Sequence, residues 1–147
     1  MSDTLRIKYV NVTGNPELNP RKTNKYDNPA GIDLFAAEDI RLNGNSVTGV
    51  RTGIAVEIPK EYYGQIFLPG GFSLESNVVP TAGVIDSDYR GEIIILLANV
   101  SQGPVDVVTK DRIAQMVLLP VPEVKLTKVE KLSETKRGSG KLGSSDH

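Results

Sequence analysis

The sequence predicts an all-β fold, a sandwich or barrel of Greek-key type built from short antiparallel strands. Short apolar stretches recur along the chain, and Gly, Pro, Asn or Asp separates each from the next at close intervals. Only residues 72–77 look able to form a helix, and that helix would be brief. Many short strands with frequent turn residues are typical of small sandwiches and barrels.

Each strand is predicted from its local pattern. Residues 5–10 alternate apolar and basic side chains, and residues 47–58 indicate two strands broken at Thr52 and Gly53. The run Ile93–Leu97 does not alternate, which indicates cover on both faces, either inside one chain or between subunits. Further strands are expected at residues 31–36, 65–68, 84–85, 93–98, 105–108, 113–119 and 124–129.

Composition limits the chemistry that the chain can perform. The 147 residues carry a net charge of -1 and suit one β domain, residues 1–132, followed by a polar, glycine-rich and flexible arm, residues 133–147. Cysteine is absent and the only histidine is His147, so thiolate and imidazole catalysis are excluded. Proton transfer then falls to a carboxylate, a lysine, a tyrosine or a metal-bound water.

Charge and hydropathy also limit partners and location. The 17 basic residues are balanced by 18 acidic ones and aromatics make up only 5%, so no nucleic-acid partner is expected. No apolar run approaches the ~20 residues of a membrane span, and Met1–Thr4 has no features of a secretion signal. We therefore expect no membrane partner, a location in the cytosol or nucleus, and a small-molecule ligand.

The segment Ala82–Glu92 is the strongest candidate for a functional site. It places Asp86, Asp88 and Tyr89 in a turn between two apolar strands, which predicts a hairpin whose acids face solvent. Such a turn can hold a water and a small ligand. Taken alone, an ordinary hairpin with solubilising acids is the favoured interpretation.

Four segments in fixed order resemble motifs of the trimeric dUTP diphosphatase family. They are Ala-Gly-Ile-Asp-Leu at residues 30–34, the segment at 82–92, Asp-Arg-Ile-Ala-Gln at residues 111–115 and the glycine-rich stretch at residues 137–145. The resemblance implies a dUTPase-like fold, a homotrimer and hydrolysis of dUTP to dUMP and pyrophosphate with Mg²⁺. It also implies that the arm closes over the nucleotide bound at a neighbouring subunit, which would exclude water.

The resemblance assigns roles to individual residues. Asp86 would activate the attacking water, Asp33 would hold magnesium through its water shell, and Tyr89 would lie under the deoxyribose and exclude a 2′-hydroxyl. For Gln115 and Arg112, bracing of the turn is an alternative to phosphate binding. The other implied substrate contacts, some of them backbone groups that would read uracil, are Gly70, Gly71, Gly83, Val84, Ile85, Ile94, Gln115, Arg137, Leu142, Gly143 and Ser144.

Two motifs are altered. The family's Pro-Arg-Ser-Gly-Leu falls on Leu68–Phe72, so Pro69 and Gly70 stand where the family has phosphate-binding Arg and Ser. Gly70 and Gly71 can still turn backbone N-H groups toward an anion, because glycine allows the left-handed conformations that form a backbone nest. Loss of a charged hydrogen bond costs about 1.5 to 3 kcal/mol, or roughly tenfold to a hundredfold in rate. In the arm, Leu142 replaces a phenylalanine that stacks on uracil.

Two alternatives to an active dUTP diphosphatase are open at this point. The altered second motif is compatible with a catalytically impaired nucleotide-binding protein that acts as a regulatory or interaction module. Deamination of dCTP is the other alternative, because a related family with the same fold uses a glutamate on the strand after the turn. Leu96 occupies that position here, which argues against deamination.

Overall fold

The computed structural model describes residues 4–143 and 145, except the side chains of residues 73–75. The described helices are α1 Gly70–Ser76 and a 3-10 turn at Pro16–Leu18. The strands are β1 Lys8–Asn11, β2 Ile32–Phe35, β3 Ile40–Leu42, β4 Ser46–Arg51, β5 Ile54–Glu57, β6 Tyr62–Phe67, β7 Val78–Pro80, β8 Val84–Ile85, β9 Ile94–Asn99, β10 Val105–Val107 and β11 Arg112–Pro120. The all-β prediction is confirmed.

The strands form two sheets and two ribbons, all antiparallel. The larger sheet has the order β2-β11-β6-β8, the smaller sheet has the order β4-β9-β7, and the ribbons are β1-β5 and β10-β3. Strand β11 pairs with β2 along one side and with β6 along the other. Because these partners are distant in sequence, the fold closes through long-range contacts rather than through local hairpins.

One hydrophobic cluster holds the two sheets together. Leu34, Ile66 and Met116 come from the larger sheet, Val50 and Ile95 come from the smaller one, and all five are buried. Burial of a side chain of this size stabilises the fold by about 1.5 to 3 kcal/mol. The core therefore fixes how the ends of β8 and β9 lie relative to each other.

The segment Ala82–Glu92 does not form the predicted hairpin. Strand β8 pairs with β6 at the edge of the larger sheet, whereas β9 lies between β4 and β7 in the smaller sheet. The turn between them passes from one sheet to the other. The hairpin prediction is wrong because a local pattern indicates a strand without indicating which distant strand it pairs with.

Strand β9 is covered on one face only within the chain. Ile95 and Leu97 are buried, while Ile94 and Leu96 are 41% and 37% exposed. Cover of both faces inside one chain is therefore not observed, because the second face lines a pocket. Cover of that face by another subunit stays a prediction.

The strand predicted at residues 124–129 does not form. Strand β11 ends at Pro120, and residues 121–143 are exposed, with Leu126 at 93%. Val121 still donates its N-H to the Glu61 carbonyl at 2.8 Å, but Pro122 offers no N-H for continued pairing, which explains why the ladder stops there. The other predicted strands and the helix form near the predicted positions. Strands β3 and β7 were not predicted, because they are too short to show a sequence pattern. None of the helices in the described ranges is long and apolar enough to cross a bilayer.

Candidate active site

A pocket of about 270 Å³ opens where β8 ends and β9 begins. Its wall is mostly apolar, with Asp86 and Tyr89 as the side chains that carry polar atoms. An apolar recess with few polar groups is the usual form of a small-molecule site. The lining residues are Ile66, Ala82, Gly83, Val84, Ile85, Asp86, Tyr89, Ile94 and Leu96.

Two hydrogen bonds close the turn after β8, one from the backbone N-H of Tyr89 and one from its hydroxyl. The Asp86 carbonyl accepts a hydrogen bond from the Tyr89 N-H at 3.1 Å, and the Tyr89 hydroxyl donates to the Glu92 carbonyl at 2.8 Å. Gly91 lies under the ring, where an added Cβ would stand 2.8 Å from the Tyr89 hydroxyl. The tyrosine is therefore held at both ends, and a side chain at Gly91 would displace the Tyr89 ring.

The two acids of this turn face different recesses. Asp86 lines the apolar pocket, whereas Asp88 lines a separate cleft of about 600 Å³ together with the basic side chains of Arg6, Lys8 and Lys60. Two carboxylates so close in sequence are therefore not interchangeable. Of these two recesses, the pocket beside Asp86 is the one that combines an acid with a mostly apolar wall and a hydrogen-bonded aromatic ring.

The start of β8 approaches β6 closely at Gly83. The Gly83 carbonyl accepts a hydrogen bond from the Ile66 N-H at 2.7 Å. A Cβ at Gly83 would lie 2.7 Å from Nε2 of Gln65 and 3.1 Å from the Ile66 carbonyl oxygen. A side chain at Gly83 would therefore displace Gln65, and the Gly83 backbone is held against the larger sheet.

Asp33, Gln115 and Arg112 form a second polar cluster, on β2 and β11. Asp33 lies directly opposite Gln115 in the strand register, and its side chain is 11% exposed. Arg112 Nη1 lies 3.7 Å from Asp33 Oδ2. Gly31 is buried against this cluster, and a Cβ there would overlap the Gln115 side chain.

The two clusters are separate within one chain. Asp33 is opposite Gln115, and Gln115 is opposite Phe67, so a line of neighbours crosses the larger sheet at this level. On β6, Ile85 pairs with Gly64, which lies three residues before Phe67. Asp86 follows Ile85 and is one residue farther from Phe67 again. With about 4.8 Å between strands and about 3.3 Å per residue, Asp33 and Asp86 are on the order of 15 to 20 Å apart.

The residues around Asp33 suit a hydrated magnesium ion rather than a directly coordinated one. Among the described residues, no group of three or more His, Cys, Asp or Glu side chains could hold a metal. Magnesium, however, usually keeps several waters and uses one or two carboxylates together with substrate phosphates. The largely buried Asp33 carboxylate, with Arg112 on one side, fits contact through water.

Comparison with known proteins establishes the family. The model of the dUTPase family matches residues 19–146, which is most of the chain. This chain belongs to the dUTPase family. The sequence resemblance to that family is therefore confirmed.

Two relatives of this dUTPase-family chain carry the name deoxyuridine 5′-triphosphate nucleotidohydrolase. The protein of Anaeromyxobacter sp. (strain Fw109-5) is 40% identical over 146 residues and covers 98% of both chains. The protein of Clostridium tetani is 40% identical over 121 residues, which span 81% of this chain and 83% of that protein.

Solved dUTPases share the fold. A glycine-to-serine mutant of the Staphylococcus bacteriophage 80alpha dUTPase with dUpNHpp has a TM-score of 0.84 at 26% identity, over 97% of this chain and 99% of that chain. A mutant of the dUTPase from phage phi11 of S. aureus has a TM-score of 0.76 at 23% identity, over 88% of this chain and 99% of that chain. The structure of that phi11 mutant reveals the coordination of a structural Mg(II) ion.

The second dUTPase motif adopts a helical rather than a left-handed backbone. Pro69 is buried after β6, and Gly70 and Gly71 begin α1 without a positive φ. The left-handed conformation that glycine allows is therefore not adopted at these two positions, because the chain enters a helix at once. A Cβ at either glycine would meet no atom within 4 Å, so glycine is not required there for space.

The arm makes only local contacts among its described residues. Gly138 donates its N-H to the Thr135 carbonyl at 3.0 Å and has a φ of 61°, while Gly143 has a φ of 86°. Arg137 and Leu142 are exposed, and neither lines the pocket of its own chain. The remaining predicted arm residue, Ser144, lies outside the described residues.

Sequence reasoning missed one pair beside the turn. Arg51 donates from Nε to Glu92 Oε2 and from Nη2 to Glu92 Oε1, both at 3.0 Å. The hydrogen bond from Arg51 holds the pKa of the Glu92 carboxyl below its usual range against the opposing effect of burial, with a further contribution from the Gly53 N-H. Glu92 closes the motif at 82–92, but nothing in the sequence links it to Arg51 on β4.

Proposed function

We propose that this protein hydrolyses dUTP to dUMP and pyrophosphate. The observation that carries the proposal is the fixed arrangement of Asp86 and Tyr89 at the mouth of an apolar pocket. Family membership and the names of the relatives support the same reaction. The deoxyuridine would occupy the pocket, with its triphosphate extending past Asp86.

Recognition of the nucleoside is shared between shape and backbone groups. The Tyr89 ring would lie under the sugar, where its fixed hydroxyl prevents it from moving aside for a 2′-hydroxyl. The uracil would face backbone groups near Gly83, Val84, Ile85 and Ile94, all of which line the pocket. A base with the wrong hydrogen-bonding edge leaves buried polar groups unpaired, which penalises it strongly.

The chemical step needs a base and a route for one proton. The Asp86 carboxylate accepts a proton from water, and the resulting hydroxide forms a bond to the α-phosphorus. The bond between that phosphorus and the oxygen bridging to the β-phosphate breaks, so pyrophosphate leaves and dUMP remains. Asp86 is exposed at the end of β8, which leaves room for the water and the phosphate beside it.

Asp33 and Gln115 would face the outer phosphates. When bound, Mg²⁺ supplies positive charge that offsets the charge of the triphosphate. Asp33 would contact its water shell, and Gln115 would contact a phosphate or one of the same waters. Arg112 stays paired with Asp33 and keeps that carboxylate oriented.

A second copy of the chain is required to assemble this site. Asp33 and Asp86 are too far apart in one chain to act on the same few atoms of one triphosphate. The exposed arm is a further element that reaches no pocket of its own chain. These features support a homotrimer in which one copy supplies Asp86, another supplies Asp33 and Gln115, and the arm supplies Arg137, Leu142, Gly143 and Ser144.

Pyrophosphate release tests the reaction. With Mg²⁺ present, we expect release from dUTP and far less from UTP or dCTP. Absence of release above buffer from any of the three would contradict the proposal, and ammonia release from dCTP would point to deamination instead. Sedimentation of the 15.9 kDa chain tests for a species of three chains.

Mixing two impaired variants tests the shared site directly. D33N and D86N should each have at most a small residual activity alone, because every site lacks one group. After joint unfolding and refolding, mixed trimers should regain about a quarter of wild-type activity, since random assembly leaves that share of sites intact. No gain over the separate variants would contradict a site built between copies.

A further inference from the structure

The link between β8 and β9 is anchored at its far end, at Glu92. The Glu92 carboxylate accepts two hydrogen bonds from Arg51 at 3.0 Å and lies 3.4 Å from the Gly53 N-H. Only 21% of the Glu92 side chain is exposed, so solvent competes weakly for these contacts. The anchor therefore joins the active-site turn to the corner between β4 and β5.

Backbone contacts strengthen the same anchor. Thr52 donates its hydroxyl to the Ile93 carbonyl at 2.7 Å, and this bond is buried. The Ile93 N-H donates to the Ile54 carbonyl, also at 2.7 Å. The N-H of the peptide group between Glu92 and Ile93 is consequently held by Ile54, and the carbonyl of the next peptide group is held by Thr52. The backbone on both sides of the Glu92 carbonyl therefore has a defined position.

That carbonyl is the one that holds the Tyr89 ring. The Tyr89 hydroxyl donates to the Glu92 carbonyl at 2.8 Å, and Gly91 leaves no free space beside it. A shift of Glu92 therefore moves the ring. Asp86, by contrast, follows β8 directly and takes its position from the larger sheet.

We propose that Arg51 and Glu92 are a positioning pair that sets the discrimination between deoxyribonucleotides and ribonucleotides. Neither side chain lines the pocket, so both act through Tyr89. The inference rests on the proposed function, because it assumes that the sugar lies against that ring. A displacement of well under 1 Å is enough to matter, since exclusion of one hydroxyl by shape depends on close contact.

The test is the ratio of kcat/KM for dUTP to kcat/KM for UTP. In R51Q and E92Q we expect this ratio to fall about tenfold, in line with the cost of sub-ångström misplacement in active sites. The kcat for dUTP should change less than the ratio, because Asp86 keeps its position. In R51K, which keeps the charge but loses the two-pronged contact, we expect an intermediate ratio.

A matched pair elsewhere in the chain provides the control. Arg41 makes a similar two-bond contact with Asp106, at 2.8 Å and 3.3 Å, between β3 and β10. We expect R41Q to lose a comparable ion pair and to retain the wild-type ratio. A ratio that falls equally in R41Q would overturn the proposal, because the effect would then be general.

The outcomes separate this inference from the proposed function. If the wild type does not hydrolyse dUTP, the proposed function fails. If the wild type is active and both R51Q and E92Q keep its ratio, the positioning role alone is overturned. Should R51Q fail to fold by circular dichroism, R51K decides the question, and a wild-type ratio in R51K overturns the role. A double variant R51Q/E92Q no worse than either single one would support a joint action.

Discussion

Two regions of this chain carry predicted substrate contacts, and they are held in opposite ways. The turn from Asp86 to Glu92 is fixed by its own hydrogen bonds, by Arg51 and by the sheets on either side. The described part of the arm, residues 133–143, is exposed and has contacts only with itself. Both regions contain glycines, so glycine content alone does not distinguish a rigid site from an open one.

The difference indicates that the turn and the arm have separate roles. A turn that is fixed before the substrate arrives can orient a water without any cost of ordering at the moment of reaction. An arm that becomes ordered on binding pays that cost, about 1 to 2 kcal/mol for each backbone residue fixed, but it can admit substrate and then exclude solvent. Turnover should therefore depend on the turn for chemistry and on the arm for closure.

Removal of the carboxylate from the turn should have the largest effect. We expect D86N to lower kcat by about a hundredfold to ten-thousandfold, because the amide cannot accept the proton from water. Its thermal unfolding should stay close to wild type, since Asp86 is exposed. D88N is the matched control, because Asp88 faces the other cleft, and kcat values in D86N and D88N that are equal would contradict the assignment.

Removal of the arm should have the next largest effect and should act differently. A chain that ends at Lys136 is expected to lose about a hundredfold in kcat/KM for dUTP, comparable to the loss from misplaced reacting groups. Its Tm should not change, because the described part of the removed segment buries nothing. Steady-state kinetics and calorimetry measure the two quantities. Unchanged kinetics would mean that the arm has no part in closure.

A phosphate contact can be added to the fixed part of the molecule. In G70S we expect kcat/KM to rise roughly tenfold, the lower end of the range for a hydrogen bond to a charged group of about 1.5 to 3 kcal/mol. The helical backbone and the open space at this position accept the new side chain. G71S is the control, because both serines gain helix propensity while only position 70 corresponds to the family's serine. Equal rates in G70S and G71S would contradict the phosphate contact.

Lowering the pH should remove the stabilisation of the folded state by the Arg51–Glu92 ion pair. This is the smallest expected effect. Because the hydrogen bond from Arg51 holds the pKa of Glu92 below its usual range, the folded state is stabilised above the ordinary glutamate value of about 4.3. That stabilisation is lost as the pH falls through the lower folded-state pKa. At pH 7 we expect E92Q to melt a few degrees below wild type. The gap should close at lower pH, and a gap that widens there would contradict the ion pair.

Local features of the fold were predictable from the sequence, and pairings were not. Leu34, Ile66 and Met116 are buried on strands that the local apolar pattern alone is enough to predict. The partners of β8 and β9 depend on residues far along the chain, so the turn was predicted as a hairpin. Residues 124–129 have a strand-like pattern, yet a strand needs a neighbour, and the described chain offers them none.

The same distinction applies to the candidate site: the sequence predicts individual residues, but it does not predict how distant residues are placed relative to one another. Asp86 and Tyr89 were found because one short segment contains both, and the pocket includes both. Asp33 and Gln115 were predicted separately and lie opposite each other. The distance between these two groups follows from the order of strands in the larger sheet, which no single segment encodes. The role of Arg51 was missed for the same reason.

The side chains of strand β9 contribute both to the pocket and to the stability of the fold. Its alternate side chains serve the interior and the ligand recess, so Ile95 and Leu97 cannot change places with Ile94 and Leu96. A register shift of one residue would move every buried side chain of β9 to the pocket face and every pocket-facing side chain into the core. Gly49, opposite Leu96, has no space for a methyl group, which would sit 2.9 Å from Ile94 Cγ2. Natural variation here should consequently be conservative on both sides of the strand, even though only one side lines the pocket.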